Sequence, residues 1–252
     1  MKHPLPPRLA SSRINIAVAG CGGNGSQILS GLARLHCALL AVGHPGLEVT
    51  AYDPDLVTEA NVGRQLFSPA DLGQFKAHVL INQLNLYYDL DWAAKPVRFA
   101  RANVSHRADV LIGCVDSIAA RKSITRQREV AHYWLDLGNT DKKGQVILGE
   151  LYHVKPAPAD EVEPNGVKRV DQKKLPHFFD LFPELLKKNV KEDDSPSCSL
   201  AEALERQDLF INQTVATFAL QLLWQFIRQG GLDLHGYFIN LETGKVTPLP
   251  IK

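Results

Sequence analysis

The sequence predicts an α/β fold built on an open, doubly wound, mostly parallel sheet. Three observations carry this. Short apolar runs, partly β-branched, recur along the 252-residue chain. Stretches with helical spacing of apolar residues lie between them, and a glycine-rich turn follows the first run. A strand covered on both faces reads as a continuous apolar run rather than as an alternation, which is how these runs read.

Residues 14–19 (INIAVA) form the first such run, and Gly20-Cys21-Gly22-Gly23-Asn24-Gly25-Ser26 follows it. Ile28, Leu29, Leu32, Leu35 and Leu39 then keep the i, i+3, i+4, i+7 spacing of a helix reaching about Val42. Residues 47–52 read as a second strand that stops at Asp53, residues 69–88 as a helix, and 95–99 as a third strand. Residues 109–115 read as a strand stopping at Asp116, and 117–132 as a helix. Strands are expected at 133–137 and 145–154, a buried helix at 209–227, and a hairpin of 237–241 with 245–251 around Glu242-Thr243-Gly244. Right-handed crossovers would bring the loops after the parallel strands to one edge. There stand Gly20–Ser26, Asp53, Asp116 and Gly138-Asn139.

Four segments follow from this reading. Residues 1–13 are a flexible N-terminal arm without the apolar core of a signal sequence. Residues 14–154 are the core. Residues 155–197, rich in proline, lysine and acids, are a partly irregular excursion with a short amphipathic piece around Phe178–Phe182. Residues 198–252 complete the same domain.

Hydrophobic residues make up 45 % of the chain and charged residues 22 %, the balance of a globular protein. A net charge of +1 gives no reason to expect nucleic acid or an anionic membrane as partner. The apolar runs are too short to span a bilayer, so a cytoplasmic location is expected. The four cysteines, Cys21, Cys37, Cys114 and Cys198, form no C-x-x-C pair and do not suggest a disulfide framework. Cys21, Cys37 and Cys114 are expected to pack.

Gly20, Gly22 and Gly25 match G-x-G-x-x-G between a strand and a helix. Without β-carbons the backbone turns tightly and can approach a phosphate, and the helix start offers N–H groups and positive dipole. The pattern says nucleotide without saying which. Asp53 is placed to accept hydrogen bonds from ribose hydroxyls, as it would be in an NAD-dependent oxidoreductase, and Asp53-Pro54-Asp55 is also simply a good turn sequence. What distinguishes the readings is Asn61-Val62-Gly63-Arg64-Gln65 and then Lys76. Hydride transfer has no use for Arg64 and Lys76 here. Attack at the α-phosphate of ATP does, because charge gathers on phosphoryl oxygens in its transition state.

In order and spacing, the glycine turn, Tyr52-Asp53-Pro54-Asp55, Asn61–Gln65, Lys76 and Cys114-Val115-Asp116 resemble the adenylation domain of the ThiF/MoeB/ubiquitin-activating (HesA/MoeB/ThiF) superfamily, whose fold is Rossmann-like. The stretch Asn61–Asp71 looks closest to ThiF family proteins of ParB-related, ThiF-related cassettes (PRTRC systems). The resemblance implies an adenylyltransferase that activates the C-terminal carboxylate of a small β-grasp, ubiquitin-like or sulfur-carrier-like protein. It implies that the backbone of Gly22, Gly23, Asn24, Gly25 and Ser26 lines the phosphates, that Asp53 holds the ribose, and that Gly20 and Asp55 also belong to the nucleotide site. By the same resemblance Asn61, Arg64, Gln65 and Lys76 contact the triphosphate, and Asp116 binds Mg²⁺ that bridges it. A carboxylate is already an anion, so no general base is needed, and no constellation stands out among the nine histidines.

The resemblance further implies a homodimer, with an N-terminal arginine, Arg8 or Arg13, as a candidate for entering the partner's site. Relatives often hold a structural zinc on two C-x-x-C pairs. Zinc needs four ligands at about 2.0–2.3 Å, and no paired cysteines supply them, so none is expected. Cys198, in Ser195-Pro196-Ser197-Cys198-Ser199, stands roughly where relatives place an acceptor thiol. It reads equally as that thiol or as a packing residue. A non-catalytic docking module remains the alternative, although an inert member should have lost Arg64, Lys76 or Asp116 and this chain keeps all three.

Overall fold

The computed structural model describes residues 2–104, 106–127, 130–151, 174–187 and 207–252. Five parallel strands form the centre of the sheet, in the order β4 (Ala93–Lys95), β3 (Leu47–Tyr52), β2 (Ile14–Ala19), β5 (Ala108–Gly113), β6 (Ala131–Asn139). Three antiparallel strands extend it beyond β6, namely β7 (Lys143–Glu150), β9 (Leu234–Asn240) and β10 (Lys245–Pro250). The chain leaves β2 toward β3 on one side and later returns to β5 on the other. The topological switch point, where ligands of such sheets bind, therefore lies between β2 and β5.

Alternation along β2 explains the two layers. Ile14, Ile16 and Val18 join a core built with α2 (Gly23–Ala41), α3 (Lys76–Tyr88) and α7 (Ile211–Arg228), while Ala17 and Ala19 face the opposite core. Ile28, Leu29 and Leu32 of α2 are fully buried, each worth roughly 1.5–3 kcal/mol of apolar transfer. The opposite face holds Leu111, Trp134 and Ile147, covered by Ile124 of α4 (Ile118–Thr125) and by Phe178 and Phe179 of the short helix α5 (Phe178–Leu181). A further turn, α6 (Glu184–Lys187), follows. α2 and α7 approach closely because Gly31 has no side chain: a Cβ there would stand 2.0 Å from Leu220 Cδ1.

Several boundaries differ from the sequence expectation. The helix expected over 69–88 begins only at Lys76. Residues 69–71 form a separate 3-10 turn, and Gly73 at φ +77° breaks any continuous helix. The strand expected at 95–99 is a three-residue strand at Ala93–Lys95. The helix expected to reach 132 ends at Thr125, and β6 begins at Ala131. Cys37, expected to pack, is exposed on α2. Much of the expected excursion, at 155–173 and 188–197, lies outside the described residues.

The expected flexible arm is docked. β1 (His3–Pro4) pairs antiparallel with β8 (Gly231–Leu232), and α1 (Pro7–Ser11) inserts Leu9 into the core. His3 is buried, with its Nε2 2.9 Å from the Tyr133 hydroxyl. Burial holds the imidazole below its ordinary pKa, with Glu150 opposing. Sequence could not show this because the two halves of the contact are more than a hundred residues apart.

Leu9→Ala is expected to destabilise the protein by about 2 kcal/mol, the low end for a buried leucine on a short peripheral helix. Denaturant unfolding would measure it, and a loss below about 0.5 kcal/mol, ordinary for a surface site, would mean the segment is not docked.

Candidate active site

At the switch point β2 gives way to Gly20, whose φ is +96° and whose N–H donates to Tyr52 O at 2.9 Å. A Cβ on Gly20 would lie 2.8 Å from the Cys114 carbonyl oxygen, and one on Gly25 only 2.0 Å from Gly20 O. These glycines let the turn lie between the ends of β3 and β5 while α2 starts hard against it. Gly22 differs. Among the described residues only Gln65 Nε2, at 3.9 Å, stands near the place its Cβ would take, so none of them crowds the backbone there. Gly22 is also the residue before α2, and among the described residues no side chain caps that helix. Its first N–H groups therefore lack the usual cap acceptor.

Asp53 pins the turn. It is 5 % exposed, its Oδ2 accepts the Cys21 N–H at 2.5 Å, and its Oδ1 accepts the Asp55 N–H at 2.8 Å. Burial pushes the carboxyl up from the usual carboxylate range, and the two N–H bonds and Lys76 oppose that rise. Lys76 opens α3 and is 8 % exposed. Its Nζ lies 3.4 Å from Oδ2 of Asp55, whose carboxylate is mostly exposed.

The segment between these two residues folds tightly. Asn61 Oδ1 accepts from Thr58 N–H at 3.0 Å and from Thr58 Oγ1 at 3.1 Å, capping a 3-10 turn. Gln65 N–H donates to Asn61 O at 2.9 Å, across Gly63 at φ +82°. Ser26 ties this segment to α2: its Oγ accepts the Leu66 N–H at 3.4 Å and donates to Gly23 O at 3.2 Å. The Asn61 carbonyl oxygen and Ser26 thus serve the local structure.

Asn24, Arg64 and Gln65 converge here. Asn24 Nδ2 donates to Asn139 Oδ1 at 2.9 Å, and Arg64 Nη1 donates to Gln207 Oε1 at 2.5 Å. Asn24 Oδ1, Arg64 Nε and Gln65 Oε1 are each buried without a hydrogen-bond partner among the described residues. Buried polar groups normally are paired, so three such atoms around one glycine turn mark a place built for a polar ligand. Burial also pulls the Arg64 guanidinium below its ordinary pKa, the expected effect on a cation lacking full solvation.

Asp116 follows β5 at the same edge, with its side chain exposed. Its backbone is fixed by Arg121, whose Nη1 donates to Asp116 O at 3.1 Å while Nε donates to Asp136 Oδ1 at 2.9 Å. Arg121 Nη2 also donates to Leu137 O at 2.9 Å, and Gln145 Nε2 to Asp136 Oδ2 at 3.1 Å. Burial pushes the Asp136 carboxyl up, and Arg121 holds it back. This pair was not foreseen from the sequence, although an aspartate inside the apolar run Tyr133-Trp134-Leu135-Asp136-Leu137 was a visible signal.

One edge thus gathers Gly20–Ser26, Asp53, Asp55, Asn61, Arg64, Gln65, Lys76 and Asp116. Arg8 and Arg13 stand elsewhere. Arg8 pairs with Asp109 at the start of β5, and Arg13 lies 3.9 Å from Glu48 at the start of β3, both at the opposite ends of the strands. Cys198 lies outside the described residues. Cys21 and Cys114 are packed, and burial pushes both thiols up.

The sequence matches the ThiF family over residues 7–243. The chain belongs to the ThiF family. The comparison with curated proteins gives no match. Among solved structures it is similar to PaaA, at TM-score 0.59 and 14 % identity over 97 % of this chain and 65 % of that one. It is also similar to E. coli MccB solved with MccA, at TM-score 0.57 and 16 % identity over 96 % of this chain and 65 % of that one. E. coli MccB with ATP gives 0.55 and 16 % identity, with the same coverage of 96 % and 65 %. At these identities the likeness is one of fold. This ThiF-family chain spans about two thirds of the length of those neighbours.

Gly25→Ala is expected to destabilise the protein by about 1–3 kcal/mol or more through overpacking against Gly20 O. Gly22→Ala, with room for the methyl, should stay within about 1 kcal/mol of the unaltered chain. Thermal unfolding of the two variants checks this, and equal losses would contradict the two roles given to these glycines.

Proposed function

We propose that this protein uses ATP to adenylate the C-terminal carboxylate of a small protein or peptide. The observation that carries the reading is three buried polar atoms without partners among the described residues, Asn24 Oδ1, Arg64 Nε and Gln65 Oε1, with Gln65 reaching beside the backbone at Gly22. Buried Lys76 lies 3.4 Å from Asp55, and its charge opposes the rise of the Asp53 carboxyl. Membership of the ThiF family, and similarity to MccB solved with ATP and with MccA, support the same reading. A nicotinamide cofactor would use the turn and Asp53 but leave Arg64, Gln65 and Lys76 without a task.

In this mechanism the free lone pairs of Asp53 accept from ribose hydroxyls, and the backbone at Gly22–Gly25 with the α2 N-terminus receives the phosphates. A substrate carboxylate oxygen attacks the α-phosphorus. The new O–P bond forms as the bond to the β-phosphate oxygen breaks, and pyrophosphate leaves with the electron pair. No proton changes hands. Lys76 leaves Asp55 for the phosphoryl oxygens, where charge grows, and Arg64 holds the departing phosphates. Asp116 is the residue that would hold Mg²⁺. Such a site takes one or two carboxylates and completes itself with phosphate oxygens and water, so one exposed aspartate on a fixed backbone fits. The ion would supply charge neutralisation of the phosphates.

The finer reading names a β-grasp, ubiquitin-like or sulfur-carrier-like substrate, a homodimeric enzyme, and a place in a ParB- and ThiF-related cassette. It rests on the family resemblance. Pyrophosphate–ATP exchange tests the reaction, run with Mg²⁺ and with candidate Gly-ended small proteins. Exchange that depends on one candidate is expected, whereas ATP binding without exchange for any of them would favour a docking module.

Lys76→Ala is expected to leave the ATP Kd nearly unchanged and to slow exchange about a hundredfold, as loss of a transition-state charge contact does. Exchange within a few-fold of wild type would remove Lys76 from the chemistry. Cys198→Ala is expected to spare exchange and to prevent a covalent thioester adduct with the small protein. An adduct still visible by intact mass would exclude Cys198 as acceptor.

A further inference from the structure

Arg64 stands on the tight 58–67 segment, yet the group that holds its guanidinium lies far along the chain. Its Nη1 donates to Gln207 Oε1 at 2.5 Å. The same oxygen accepts a second bond, from Asn212 Nδ2 at 3.1 Å. Asn212 sits in the first turn of α7 and is 2 % exposed. Its amide fills the space that a Cβ on Gly23 would need, with Nδ2 2.5 Å from that position. The backbone carrying Gln207 is itself fixed, since Asp208 N–H donates to Asp141 O at 3.0 Å and Phe210 N–H to Asp208 Oδ1 at 3.1 Å. A continuous path of contacts therefore runs from Gly23 through Asn212 and Gln207 to Arg64, joining the glycine turn to this cation.

We propose that Gln207 and Asn212 are positioning residues, which hold Arg64 toward the phosphates of the bound nucleotide. This rests on the adenylation reading above. A neutral amide oxygen suits the task. It fixes the guanidinium fork without cancelling its charge, whereas a carboxylate in the same place would neutralise the site and compete with phosphate. The arrangement leaves Nε of Arg64 buried and without a partner among the described residues, available to an anion while Nη1 is held. It also gives Gly23 a reason to be glycine beyond helix geometry, because any side chain there would displace Asn212.

A double-mutant cycle read on the ATP Kd separates positioning from general structural support. Titration calorimetry with Mg²⁺ and ATP would compare the full chain with Gln207→Leu, Arg64→Ala and the double variant. Gln207→Leu removes the acceptor and keeps most of the volume. It is expected to raise the ATP Kd about tenfold, the scale of one hydrogen bond to a charged group. In the Arg64→Ala background the same change should add less than twofold. Gln207→Glu keeps both acceptor contacts, so it should fold even if the leucine variant does not, and it too should weaken ATP through neutralisation of Arg64. An ATP Kd for Gln207→Leu within twofold of wild type, an undiminished effect in the Arg64→Ala background, or full affinity in Gln207→Glu would each overturn the proposal. If Arg64→Ala itself binds ATP like wild type, the nucleotide role of Arg64 fails and the positioning role falls with it.

Discussion

The Asp53 carboxylate is the joint on which the site depends. One oxygen holds the Cys21 N–H and the other the Asp55 N–H, so a single side chain fixes the turn after β2, the end of β3 and the entry to the 56–75 segment. A buried carboxylate is costly unless its oxygens are satisfied. Here the satisfaction comes from backbone groups that must be in place for the site to exist. The glycines then set how close the pieces come. Gly20 lies under the Cys114 carbonyl and Gly25 against Gly20 O, bringing β2, β3, β5 and α2 together at the switch point.

Around that joint the charge distribution is unfinished. Lys76 leans on an exposed aspartate and Arg64 on a neutral amide, and neither contact matches the bidentate carboxylate pairing that arginine makes when a pair is structural. The contrast is with Arg121, whose Nε, Nη1 and Nη2 are all engaged by Asp136 and two carbonyl oxygens. The same residue type is thus saturated where it supports the fold and only partly satisfied where it faces the turn. Such incomplete satisfaction would destabilise a purely structural region, and it is what the polyanion site proposed above would require.

How much of this the sequence revealed depended on distance along the chain. β2, the glycine turn, α2 and β3 are consecutive, so their pattern and order could be read directly, and Asp53, Arg64, Gln65 and Lys76 fell within one short stretch. The break at Gly73 was missed because the apolar spacing of 69–88 hid a residue in the left-handed region. The docking of His3 against Tyr133, and the approach of Gln207 and Asn212 to Arg64, were invisible for another reason. Each depends on a helix or strand from the far end of the chain, and no local pattern announces which distant polar residue will meet another.

Those long connections also say what α7 contributes. Its apolar face, with Val215, Ala219, Leu222 and Phe226 buried, packs on the sheet and against α2, and this packing is what carries Asn212 to the start of α2. A helix placed by hydrophobic burial delivers a polar side chain with the precision of the core behind it, which a surface loop does not. The end of β6 and the β6–β7 turn take part in the same way, through Asn139 on Asn24 and the Asp141 carbonyl on Asp208. The candidate nucleotide edge is therefore not a property of the parallel half of the sheet alone. The β6–β7 turn and the C-terminal helix close it, so a fragment ending after β6 would keep the glycine turn, Asp53 and the Asn139 partner of Asn24, and lose Gln207 and Asn212, which hold Arg64.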